Sequence, residues 1–114
     1  MSVFETVMEG LERLNIKNKH SIIIPPVESD RLMSICVIVD KLIYEFDGES
    51  YTVNIIPETL ELCIDISLPE MIIEDCSEHE FFKLVNMVDS FSFHVDGENV
   101  ILSISAKELF LFSK

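Results

Sequence analysis

The side chains best suited to chemistry in this sequence are Cys36, Cys63 and Cys76, together with His20, His79 and His94. Cys76 and His79 stand three residues apart, with Glu74 close by, at the start of a helix-like stretch. A Cys-x-x-His pair supplies two of the four ligands that zinc takes. As a nucleophile and base the same pair lacks an orienting third group and any mark of an oxyanion hole. The plainer reading is an ordinary helix start, so no metal, cofactor or catalytic residue is expected. The cysteine number is odd and no Cys-x-x-Cys occurs, which points away from a disulfide framework and towards a reducing, cytoplasmic setting. Cys36 and Cys63 lie inside strand-like runs, where a free thiol behaves as a small apolar side chain. The phosphate-cradling, metalloprotease and serine-nucleophile motifs are all missing, and three glycines cannot build a phosphate loop. The sequence therefore reads as that of a protein that is not an enzyme.

Carboxylates are the other abundant reactive group. The chain carries 21 Asp and Glu against 8 Lys and Arg, a net charge of −13. Nucleic-acid binding needs cations that displace counterions from phosphate, and an anionic membrane repels such a chain, so neither partner is expected. The distribution is more telling than the total. From Leu42 to Phe82 there is no Lys or Arg. Besides Glu70, that run holds Glu45, Asp47, Glu49, Glu58, Glu61, Asp65, Glu74, Asp75, Glu78 and Glu80. These ten are the candidate partner-binding residues, an acidic surface for a basic partner. Their other reading is a solvated face that keeps an apolar chain soluble.

The elements that must position these groups follow from pattern. A length of 114 residues fits a single domain, 1–114, with 48% hydrophobic residues to build its core. Ser2-x-x-Glu5 is a capping-box pattern, and Phe4, Val7, Met8, Leu11 and Leu14 follow it at helical spacing. Gly10 weakens that helix by about 1 kcal/mol. Ser21–Ile24 reads as a short strand stopped by Pro25-Pro26. Ile35–Phe46 reads as one long strand or two short ones, with a change of phase near Asp40-Lys41 that suggests a bulge. Asp47-Gly48 is a hairpin signal, after which Tyr51, Val53 and Ile55 alternate. Leu60, Leu62, Ile64 and Ile66 alternate with Glu61, Cys63 and Asp65, the pattern of a half-buried strand. A second helix is expected over Ser77–Phe91, opened by Ser77-x-x-Glu80, with Phe81, Leu84, Val85, Val88 and Phe91 as its apolar stripe. Asp96-Gly97 marks a second hairpin, leading to a strand through Val100, Leu102 and Ile104. The apolar tail Leu109–Phe112 reads as a last strand or a short helix, with a strand tucked into the sheet preferred to a subunit or partner contact. No signal peptide is expected from the acidic N-terminal stretch, and no apolar run reaches the ~18–20 residues of a membrane span. The fold class is α+β: two helices on one mainly antiparallel sheet of about five to six strands, in the order α-β-β-β-α-β-β.

That order, with the acidity and small size, resembles the class I type III secretion chaperones and the bacterial proteins that share their fold. The resemblance lies in the opening Phe4-Glu5-x-Val7-Met8-x-x-Leu11, the acidic strands through Leu60–Ile66, and helix Ser77–Phe91 followed by the Asp96-Gly97 hairpin. It covers most of the chain as topology. The Lys17–Pro26 insertion and the lack of a final helix after Ser105 depart from it. The resemblance implies a cytoplasmic homodimer that wraps an unfolded segment of a partner polypeptide with apolar patches. It also implies a dimer interface on the second helix, here Phe81, Leu84, Val85, Val88 and Phe91. A second expectation comes from charge alone: an acidic inhibitor whose carboxylates mimic phosphates and fill the basic groove of a nucleic-acid enzyme.

Overall fold

The structure, a computed structural model, describes residues 2–18, 21–45, 50–69 and 78–113. The chain opens with helix α1, Val3–Lys17, whose start is fixed by Ser2: its hydroxyl accepts a hydrogen bond from the Glu5 backbone N–H at 3.1 Å. Val3, Val7 and Leu11, four residues apart, form the buried stripe. Lys17 sits in the last turn, where the helix dipole favours a cation.

Strand β1, Ile22–Ile23, follows. Helix α2 then runs from Pro26 to Glu45, twenty residues through the region where alternation suggests strand. This corrects the expectation for Ile35–Phe46. The buried residues are Leu32, Ile35, Cys36, Ile38, Val39 and Leu42, which recur every three or four positions. Val37, which alternation places with Ile35 and Val39, is 57% exposed, while Ile38 is 7% exposed. The apparent bulge at Asp40-Lys41 is a 3.6-residue period sampled as a two-residue one. The β-branched residues lower helix propensity by a few tenths of a kcal/mol each, at most about 0.7, and burial of one continuous stripe outweighs that. The proline pair stops β1 as expected but also starts this helix. Pro26 occupies the first turn, where no N–H is needed, and the Pro25 carbonyl accepts from Glu28 and Ser29 at 3.0 and 3.1 Å.

Strands β2 (Ser50–Ile56), β3 (Glu61–Pro69), β4 (Ser90–Asp96) and β5 (Asn99–Ala106) form an antiparallel sheet in the order β2-β3-β5-β4. Helix α3, Glu78–Met87, lies between β3 and β4 in sequence. Among the described residues there are thus three helices rather than two, and the α+β class and mainly antiparallel sheet stand. β3 follows its pattern: Leu62, Ile64, Ile66 and Leu68 are buried and Asp65 is exposed. Leu102 and Ile104 of β5 lie opposite Ile66 and Ile64, so the two central strands share one inner face. The β4–β5 hairpin turns at Gly97, whose φ of +65° suits a residue without a side chain. The Asp47-Gly48 signal lies outside the described residues.

Helix α3 ends at Met87, four residues short of the expected end, and Phe91 belongs to β4. The tail forms β6, Leu111–Phe112, which pairs with β1 in a separate two-stranded ribbon rather than with the main sheet. Its anchors are Leu109 and Phe110, both buried.

The inner sheet face, α1 and α2 share one core. Asp40 of α2 accepts a hydrogen bond from the Val3 N–H at 3.0 Å, placing a carboxylate at the positive end of α1. Arg31 of α2 gathers the other end. Its Nε donates to the Met87 carbonyl at 2.9 Å, its Nη1 to the Lys107 carbonyl at 3.1 Å and its Nη2 to Asp89 at 3.2 Å.

Candidate functional site

A sheet of four strands has two edges. Among the described residues β2 pairs only with β3, and β4 only with β5. Each edge is bordered by apolar side chains.

Beside β2 runs a groove between the strand and the second half of α1. Helical spacing puts Gly10, Leu14 and Lys17 along this side, with Arg13 next to Leu14, and strand alternation turns Val53 and Ile55 towards them. Leu14, Val53 and Ile55 supply an apolar floor, and Arg13 and Lys17 supply positive charge. Arg13 reaches Glu9 only at 4.0 Å with both side chains well exposed, a contact worth little. An extended segment laid on β2 would meet the apolar floor and the two cations together, on the side where no described strand pairs with β2.

Beside β4 the sheet edge meets α3. Phe81, Phe91 and Phe93 form a triangle of edge-to-face rings with centroids 5.0 to 6.2 Å apart. Phe82 and Val85 on α3 and Phe93 and Val95 on β4 remain 67, 44, 42 and 66% exposed. Of the residues expected at a subunit contact, Leu84 is fully buried within its own protomer. Phe81, Val88 and Phe91 are half-buried against the core, and Val85 is open to solvent.

The ten candidate acidic residues do not converge where they can be placed. Glu45 ends α2, Glu58 lies in the β2–β3 turn, and Glu61 and Asp65 lie on the outer face of β3. Asp47, Glu49, Glu74 and Asp75 lie outside the described residues, as do the side chains of Glu78 and Glu80. Glu61 and Asp65 are separated by Cys63 on a polar sheet face. There Thr52, Asp65, Ser103 and Ser92 form one cross-strand row, and Asn54, Cys63, Ser105 and Ser90 the next. The Ser90 and Ser105 hydroxyls lie 2.7 Å apart.

The described thiols are held protonated. Burial, then the nearby Asp40, pushes Cys36 up to about 12. Burial, then Glu61 and Asp65, pushes Cys63 up as well. This is the opposite of an activated nucleophile, which needs a cationic neighbour to stabilise the thiolate. Cys76 and the His79 side chain lie outside the described residues. Among the described residues no three His, Cys, Asp or Glu side chains group to hold a metal ion. Likewise, no described helix is long and apolar enough to cross a membrane.

Sequence reasoning missed the grouping of Arg13 and Lys17 with β2. The signal was present, since positions 10, 13, 14 and 17 share one helical face, but nothing local says which strand packs beneath them. Fold and surfaces together define an antiparallel α+β protein whose outer strands β2 and β4 each have one strand partner among the described residues. Compared with known proteins, the chain matches no family model, no curated protein and no solved structure.

Proposed function

We propose that this chain is a non-enzymatic, acidic protein-binding module of the secretion-chaperone type, a homodimer that holds an extended segment of a partner polypeptide. The observation that carries the proposal is the β2 edge, which borders an apolar floor of Leu14, Val53 and Ile55 beside Arg13 and Lys17. A strand added there gains main-chain hydrogen bonds, and its alternate side chains enter the groove. The dimer contact is the β4 edge with Phe82, Val85, Phe93 and Val95, an exposed apolar patch of the kind that marks an interaction surface. The scatter of Glu45, Glu58, Glu61 and Asp65 over separate elements supports polypeptide binding over phosphate mimicry, which needs carboxylates in a regular row.

Light scattering after size exclusion, at low and high salt, tests the dimer. A mass of two chains at both salts is expected, and V85D with V95D should yield single chains that remain folded. Titration with an extended peptide of alternating valine and glutamate should shift the backbone amides of Ser50–Ile56. R13E with K17E should weaken that binding roughly tenfold, as expected from reversing two charges beside the groove. Reversing Glu61 and Asp65 to lysine should change it less than about twofold, because both lie on the sheet face opposite the groove, where solvent screens their charge. A monomer whose β2 amides ignore the peptide sinks the reading. Strong dependence on Glu61 and Asp65 would favour the inhibitor instead.

A further inference from the structure

Gly10 is the one helical glycine among the described residues, and the fold has no need of it. Gly97 differs, since it sits at a positive φ in a hairpin turn. Gly10 lies in the middle of α1, where glycine is a poor helix former. A Cβ built there would have only the Ile55 Cδ1 within 4 Å, at 3.9 Å, an ordinary contact. Packing therefore leaves room for a side chain, and α1 would be firmer with one. The space that Gly10 keeps open belongs to the β2 groove, a cavity of about 190 Å³ that Leu14, Val53 and Ile55 also line.

We infer that Gly10 determines the specificity of the β2 groove, and that the groove receives at Gly10 the ring of a phenylalanine in the partner's extended segment. The inference rests on the reading of β2 as an edge for strand addition, and it names the side chain that this edge selects. In a strand paired with β2, alternate side chains fall on the side of Val53 and Ile55, towards α1.

Size selects a ring. An apolar cavity of roughly 150 Å³ holds a benzene molecule, so about 190 Å³ admits a phenyl group. A valine in the same place fills less of the space and forfeits contacts with the far wall. An ionised side chain would lose its hydration against Leu14, Val53 and Ile55. Shape and charge then favour a ring over leucine. Without a side chain at position 10, a flat group can approach the α1 backbone on one face and the Ile55 methyl on the other. Arg13 and Lys17 line the same cavity, and the negative face of a ring attracts both. An arginine stacks through its plane, so the contact of Arg13 with Glu9 need not break.

The test compares three extended peptides that differ at one central position. One alternates valine and glutamate throughout; the others carry phenylalanine or leucine in place of the central valine. The full chain carries labelled isoleucine methyls. The phenylalanine peptide should bind at least roughly tenfold tighter than the valine peptide, with leucine between them. It should also move the Ile55 Cδ1 methyl upfield by ring current, which leucine cannot do. G10A should melt higher than the parent chain yet bind the phenylalanine peptide about threefold more weakly, a trade of affinity for stability. G10L should bring the three peptides within about twofold of one another, because the chain's own side chain then occupies the space. If no peptide shifts the Ser50–Ile56 amides, the strand-addition reading fails and this inference falls with it. If all three bind but phenylalanine is no tighter than valine or leucine, or the Ile55 methyl stays in place, this inference alone is overturned. Full phenylalanine preference in both G10A and G10L also overturns it.

Discussion

Gly10 and Cys36 show how far a single position can be read. Glycine inside a helix costs about 1 kcal/mol relative to alanine. A Cβ at position 10 would meet only the Ile55 side chain, at 3.9 Å, an ordinary contact. Gly10→Ala should therefore raise stability by roughly 1 kcal/mol in denaturant unfolding, and a loss of stability would mean the groove cannot accept a methyl. Cys36 makes a pH prediction. Its thiol value is raised from 9.0 to about 12 by burial and by Asp40. A raised folded value favours the native state fully below the unfolded value, and that contribution is lost as pH climbs through the folded one. Stability should fall between pH 9 and about 12, and Cys36→Ser should fall less steeply there. In the native state at neutral pH, a maleimide should leave Cys36 unmodified; rapid labelling would mean α2 opens locally.

Helix α2 and its clamp carry the predictions at the element scale. A strand through Ile35–Phe46 and the observed helix disagree about adjacent residues. The helix buries Ile38 and exposes Val37. Ile38→Ala should cost about 2–4 kcal/mol and Val37→Ala under about 0.5 kcal/mol. Thermal or urea unfolding of the two variants reads the difference directly, and equal costs would contradict the helix. Arg31 ties α2 to the end of α3 and to the segment after β5. A lysine there cannot donate in three directions from a planar fork. Arg31→Lys should cost about 1–3 kcal/mol, the loss of two carbonyl bonds and a carboxylate contact. The Lys107 N–H, then the Arg31 bond and charge, hold Asp89 below its ordinary 3.8. A lowered folded value stabilises above the unfolded value and fades as pH falls through the folded one. Asp89→Asn should therefore flatten the stability profile below about pH 4.

The whole molecule is governed by its charge. A net −13 on a chain of this size repels itself in the compact state. Screening shortens the reach of that repulsion from about 30 Å at 0.01 M salt to about 10 Å at 0.1 M. The melting temperature should rise over that salt range, and a fall would mean that ion pairs matter more than repulsion. Among the described residues Arg13 pairs with Glu9 in an exposed contact, and Arg31 pairs with Glu28 and Asp89 in half-buried to exposed ones.

The α+β class, the Ser2 start of α1, the inner faces of β3 and β5, and the turn at Gly97 were all legible in the order of residues. Each is a local rule: a cap, a two-residue alternation beside polar neighbours, a glycine where φ is positive. That order did not determine α2. A dense β-branched run without polar spacers has apolar residues at both periods, so only the partner surface decides which are buried. Nor did it determine the β1–β6 ribbon, which joins residues about ninety positions apart. The same reason governs the surfaces. Arg13 and Lys17 border an apolar groove only because α1 lies along β2. Charge content was legible in the sequence; which charges share a face was settled by packing.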